Sequence, residues 1–223
     1  MSPDLFSHLE SPVERQSLAP GAVLWRHRLQ AEATSLLQAL PAILDQAPLR
    51  HMQTPGGFAM SVAMTNCGRM GWVTDRSGYR YSQVDPLSGK AWPPMPAAWQ
   101  EAAVAAALDA GFPDFVPDAC LINRYAPGAK MALHQDKDEA DLAQPIVSFS
   151  FGLPARFLFG GLARGDKAER ILLEHGDVLV WGGPARLNYH GIDPIQPGHH
   201  FLTGACRLNF TFRCAAPRPP PAP

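Results

Sequence analysis

Chemistry could begin at His134-Gln135-Asp136. On an extended strand, residues i and i+2 share a face about 7 Å apart. An imidazole and a carboxylate placed so can converge on one metal ion. Alone the pattern is common, and two surface polar residues in the charged loop HQDKDE are the plain alternative. A second H-x-D stands at His175-Gly176-Asp177. There the glycine and the apolar run Val178–Trp181 suggest a turn between strands. Candidate third ligands are His190, just after the run Arg186–Tyr189, and the loop histidines His199 and His200. Two histidines and one carboxylate leave coordination positions open, which suits non-haem Fe(II) holding a co-substrate and O2. A structural zinc site would need four protein ligands, usually with cysteine, and no cysteine lies near enough in sequence to argue for it.

The second constellation is Arg207-Leu-Asn209-Phe-Thr211-Phe-Arg213, with period two. Leu208, Phe210 and Phe212 form an apolar face. Arg207, Asn209, Thr211 and Arg213 form the other. A solvent-facing edge strand would explain that polar face. A site for a small dicarboxylate would too, because guanidinium grips carboxylate oxygens bidentately. Asn123 and Tyr125, again two apart, could donate to the same ligand.

These residues need a rigid frame. The chain has 223 residues, 46% apolar and 17% charged, with net charge −1. That supports one substantial core and excludes both global disorder and a polycation. Helical spacing marks Ala31–Ala47, broken or kinked at Pro41, and Ala97–Ala110, stopping at Gly111. From residue 118 on, seven short runs read as strands of a sandwich or barrel. They are Cys120–Tyr125, Ile146–Leu153, Arg156–Phe159, Ile171–Glu174, Val178–Trp181, Arg186–Tyr189 and Arg207–Arg213. The fold class expected is mainly β with N-terminal helices. Residues 1–15 read as a flexible arm, 16–214 as a single domain and 215–223 as a Pro-rich disordered tail. Residues 52–94, long and weakly periodic, read as a recognition flap. Scattered cysteines and an N-terminus without an apolar run suit a reduced, cytoplasmic setting. The longest stretch without acidic or basic residues, His51–Gly68, is too polar to span a bilayer.

The pattern H-x-D, distal His and R-x-N-x-T-x-R resembles the Fe(II)/2-oxoglutarate dioxygenases of the AlkB family. The segments NRYAPGAKMALHQDKDE, LLEHGDVLVWGG, RLNFTFR and TPGGFAMSVAMTNCG carry the likeness over nearly the whole chain. The resemblance implies a double-stranded β-helix, or jelly-roll, core with a nucleotide-recognition flap. It implies His134, Asp136 and His190 as catalytic iron ligands, with HGD at 175–177 as a turn. It implies Asn123, Tyr125, Arg207, Asn209 and Arg213 as the 2-oxoglutarate site, with O2 as the other co-substrate. The base pocket maps onto Trp72, Tyr79, Tyr81, Asp138 and Arg164. Asn188 stands where the family pattern has an aromatic. The implied activity is oxidative dealkylation of 1-methyladenine and 3-methylcytosine in DNA, releasing formaldehyde, succinate and CO2. Single strands are the preferred partner, with double-stranded DNA and RNA as further candidates, and the protein is expected to be a monomer.

Charge and aromatics agree with a nucleic-acid partner. Met64–Lys90 and Arg156–Arg170 each carry a +2 balance, while Ala97–Asp118 carries only acids. Trp72, Tyr79 and Tyr81 interleave with the flap's charges, and extruded bases stack on aromatics. Asp138 would favour cationic alkylated bases over neutral ones. Two rivals remain: an RNA- or protein-directed hydroxylase, and a non-catalytic nucleic-acid-binding module on the same fold.

Overall fold

The computed structural model describes residues 13–217. Apolar runs punctuated by glycine and proline form its strands. They are β1 (Glu14–Ala19), β2 (Ala22–Arg26), β3 (Arg50–Gln53), β4 (Ala59–Gly68), β5 (Gly71–Asp75), β6 (Gly78–Ser82) and β7 (Ala119–Tyr125). The second half holds β8 (Met131–His134), β9 (Ile146–Gly152), β10 (Ala155–Phe159), β11 (Glu169–Leu173), β12 (Val178–Trp181), β13 (His190–Ile192) and β14 (Arg207–Arg213). The helices are α1 (Ala33–Leu37), α2 (Leu40–Gln46) and α3 (Ala97–Asp109). Pro41 splits the first helical run, sitting in the first turn of α2, where its missing N–H costs nothing.

Two antiparallel sheets face each other. The larger has the order β1-β2-β12-β9-β14-β7-β4-β3, the smaller β11-β10-β13-β8. Helices cover the outer face of the larger sheet. This is the mainly β jelly-roll expected from the sequence. Strand β14 lies at its centre, with Asn209 opposite both Asn123 of β7 and Ser150 of β9. Its alternation therefore divides two interiors. Leu208, Phe210 and Phe212 pack towards the helices with Leu36, Ile43, Trp99 and Ala103. Arg207, Asn209, Thr211 and Arg213 turn into the space between the sheets, which excludes the solvent-facing edge reading.

Three expectations need correction. Arg186–Tyr189 is not a strand: Gly183, at φ +52°, and Pro184 form a short 3-10 turn, and pairing resumes at His190. Residues 52–94 are not all flap, because β4 is built into the larger sheet beside β7. Its polar residues hid that strand from the pattern. Thr65 donates to the Ala47 carbonyl, and Asn66 exchanges two hydrogen bonds with the Trp72 backbone. Among the described residues, only the β5–β6 hairpin stands apart as a two-stranded unit. The domain also reaches further at both ends than expected. Glu14 and Arg15 pair with β2, and the Ala215 and Ala216 N–H groups donate to the Asp118 carboxylate. The remainder of the proposed arm and tail lies outside the described residues.

Phe210 is fully buried, with Trp99 stacked on it at 4.3 Å between centroids. Phe210→Ala should therefore lower unfolding free energy by about 3–5 kcal/mol in urea titration. A cost near zero would show that the helical layer does not depend on this contact.

Candidate active site

His134 ends β8 and His190 opens β13, and the two are cross-strand partners. Gly191 permits the close approach of these strands, since a Cβ there would come within 2.7 Å of the Met131 carbonyl. The imidazoles lie 4.4 Å apart between centroids. Each engages a backbone carbonyl through Nδ1: His134 that of Ala132 at 2.9 Å, His190 that of Asn188 at 3.0 Å. A donor at Nδ1 leaves Nε2 as the ligand atom, the usual way that a partner fixes a metal-binding tautomer. Asp136 lies past the end of β8, with its oxygens 3.5 Å from His134 Nε2 and 3.7 Å from His190 Nε2. The ligand atoms of all three residues lie within 4.8 Å of one another.

Charges around this triad are tightly set. Burial pushes the Asp136 carboxyl up, but the Arg213 guanidinium and the two imidazoles outweigh it and hold it well below the usual carboxylate range. Arg213 grips Asp136 Oδ2 at 2.5 and 3.1 Å and lies 3.3 Å from Glu139. Burial pulls the His190 imidazole down, helped by His134. Burial acts the same way on His134, yet its bond to Asp136 prevails and raises it.

Deeper in the cavity stand Asn123, Tyr125, Arg207 and Asn209. Burial pushes the Tyr125 phenol up to about 12 and pulls Arg207 down to about 10, so both stay protonated near neutrality. Arg207 is 1% exposed; its Nη2 donates to Ser150 Oγ, but Nε and Nη1 have no partner. A buried guanidinium with two idle donors is costly unless an anion completes it. The donor set thus fits Fe(II), and Arg207 fits one carboxylate of 2-oxoglutarate. Asn209 bonds Asn123, Ser148 and the Phe149 carbonyl, which fixes this wall.

The hairpin joins the loop just beyond Asp136 through side chains. Trp72 stacks on Tyr79 at 5.7 Å, and its indole donates to Asp138 at 2.9 Å. The Tyr81 hydroxyl donates to Glu139 at 2.7 Å. Arg164 lies over the Tyr189 ring at 5.8 Å and is exposed. Sequence reasoning missed Glu139 and Arg186, whose carboxylate and guanidinium pair at 2.9 Å beneath the site. Glu139 is one acid among several in the loop 136–141, and Arg186 is a lone charge in its segment; only the fold brings them together.

The rival HGD motif is structural. Asp177 accepts from Arg26, the His27 N–H and the Glu174 N–H, which uses both oxygens. Burial, with His200, pulls His175 down to about 4, and its neutral Nδ1 accepts the Gly152 N–H.

The sequence profile of the 2OG-Fe(II) oxygenase superfamily matches residues 21–213. With that fold and triad, the chain belongs to this superfamily, and within it to the AlkB family. It is 57% identical to the alpha-ketoglutarate-dependent dioxygenase AlkB of Escherichia coli over 95% of this chain and 97% of that one. It is 42% identical to the AlkB homolog of Caulobacter vibrioides, over 89% of this chain and 90% of the other. The solved structure of OsALKBH1 superposes with a TM-score of 0.79 at 30% identity, covering 90% of this chain and 99% of that one.

His134→Ala should abolish iron binding and turnover, whereas His175→Ala should retain both. Loss of iron from the His175 variant alone, by metal analysis, would reverse the assignment. Arg207→Lys keeps the charge but loses the planar fork. It should raise the 2-oxoglutarate concentration for half-maximal turnover about tenfold or more, one charged hydrogen bond's worth, with iron loading unchanged. An unaltered requirement would mean that Arg207 meets another group.

Proposed function

We propose that this chain is an oxidative DNA dealkylase acting on 1-methyladenine and 3-methylcytosine. The carrying observation is the stacked Trp72–Tyr79 pair, with Trp72 and Tyr81 of that hairpin bonded to carboxylates two and three residues beyond Asp136. An aromatic platform beside an oxidising metal suits a flat, extruded base. When bound, Fe(II) with O2 and 2-oxoglutarate supplies oxidation of the N-alkyl carbon, yielding succinate and CO2 and a hydroxymethyl base that sheds formaldehyde. The chain's own residues position the reactants. His134, Asp136 and His190 hold the metal; Asn123, Tyr125, Arg207, Asn209 and Arg213 hold the co-substrate. Trp72, Tyr79 and Tyr81 hold the base, Asp138 supplies negative charge, and Arg164 reaches a phosphate.

Single strands are favoured because extrusion costs least there. The comparisons support a nucleic-acid partner: one relative, 32% identical over 58% of this chain, is the human nucleic acid dioxygenase ALKBH1. No helix among the described residues is long and apolar enough to cross a membrane. A monomer in a reducing cytoplasm completes this reading.

The direct test loads Fe(II) and 2-oxoglutarate anaerobically, adds O2, and follows a 1-methyladenine oligonucleotide by mass spectrometry. Loss of 14 Da per lesion, about one methylene, with stoichiometric succinate, is expected; an unchanged oligonucleotide overturns the reading. Selectivity is tested by Asp138→Asn. Asp138 is exposed, so its charge is worth less than in a sealed pocket. The variant should lose about three- to tenfold on 1-methyladenine and 3-methylcytosine, and less on neutral 1-methylguanine and 3-methylthymine. Equal losses on all four would assign Asp138 to structure rather than to substrate charge.

A further inference from the structure

Arg186 touches neither the metal ligands' side chains nor the co-substrate wall, yet it is only 3% exposed. Its Nη1 donates to the Asp136 carbonyl at 2.6 Å, Nε to the Gln144 carbonyl at 2.8 Å, and Nη2 to Glu139 Oε2 at 2.9 Å. One planar group thus fastens the beginning, middle and end of the loop 136–144. That loop carries an iron ligand, the charge proposed for lesion choice, and the anchor of the hairpin. The other oxygen of Glu139 accepts from Tyr81 and lies 3.3 Å from Arg213 Nε. Arg213 in turn grips Asp136. Arg186 itself stands four residues before His190, and Gln135 donates to the Leu187 carbonyl of the same segment at 2.6 Å.

We propose that Arg186 is a positioning residue that couples the base-binding hairpin to the geometry of Asp136, so that 2-oxoglutarate is consumed when a base is in place. The proposal rests on the reading of the substrate given above. Its physical basis is a chain of buried, charge-assisted bonds: Tyr81 to Glu139, Glu139 to Arg186 and Arg213, and both arginines to Asp136. Such bonds are the strong, direction-specific ones. A shift of the hairpin as a base stacks on Trp72 must move Glu139, and Glu139 cannot move without disturbing both guanidiniums. A lysine at 186 keeps the charge but cannot serve two carbonyls and a carboxylate from one plane.

The test compares wild type, Arg186→Lys and Tyr81→Phe with a 1-methyladenine single-stranded oligonucleotide, measuring succinate and formaldehyde together. Wild type should form them in near-equal amounts, and both variants should form a severalfold excess of succinate. Metal-free protein gives a readout independent of turnover. Amide hydrogen exchange over residues 137–144 should quicken in Arg186→Lys and stay unchanged in Tyr81→Phe. A wild-type product ratio in Arg186→Lys overturns the proposal. So does an excess confined to Arg186→Lys, because the hairpin is then not part of the coupling. If Arg186→Lys does not fold, Tyr81→Phe decides alone: succinate excess supports the coupling and equal products overturn it. Absence of formaldehyde from wild type overturns the substrate reading instead, and the clamp then stands or falls by the exchange of residues 137–144.

Discussion

Two guanidiniums buried on one face of one strand, at its two ends, set the terms for this molecule. A charge removed from water demands compensation, and the interior of a sandwich offers little. Arg213 finds it in Asp136 and Glu139. Arg207 finds only Ser150 and retains two unused donors. One arginine thus holds the carboxylate that completes the metal triad, and the other waits for an anion. That difference between two residues of the same type, six positions apart, distinguishes the two ends of one cavity.

The arrangement is possible because β14 is central. An edge strand would expose its polar row to water and lose the electrostatic leverage that burial gives. Its neighbours β7 and β9 supply Asn123, Ser148 and Ser150 as lateral partners, so the row is braced on both sides. Its apolar face meets Trp99 and the helices, which hold the strand from behind. The helical layer makes no chemistry, but it keeps the polar row in register.

Much of this was legible from residue order. The period-two alternation of Arg207–Arg213 is a strong local signal, and it located both the strand and its two faces. The glycine in the second H-x-D motif suggested a turn, but only the family resemblance separated the two motifs; the structure adds that the Asp177 carboxylate staples Arg26 and His27. What escaped depends on distant partners. Strand β4 looks irregular because Thr65 and Asn66 satisfy groups elsewhere in the chain. Strand β8 has only four residues and no alternation to reveal it. Glu139 and Arg186, 47 positions apart, are unremarkable until the fold pairs them.

Among the described residues the β5 and β6 strands pair only with each other, and side-chain bonds from Asn66, Asp138 and Glu139 and Thr74 donating to the Gln53 carbonyl help to hold them. The base of this hairpin is rooted in the core, where Val73 packs with Val62, Met64 and Trp92, while Tyr79 near its turn is exposed, so the tip opens at far less cost than global unfolding. On the proposed reading, base choice and oxidation thus reside in parts of unequal rigidity. On that reading, sequence change at the hairpin tip would redraw which nucleotide is admitted while the metal cradle stays under the protection of the core. On the proposed reading, the fold separates an oxidising engine from a reading head.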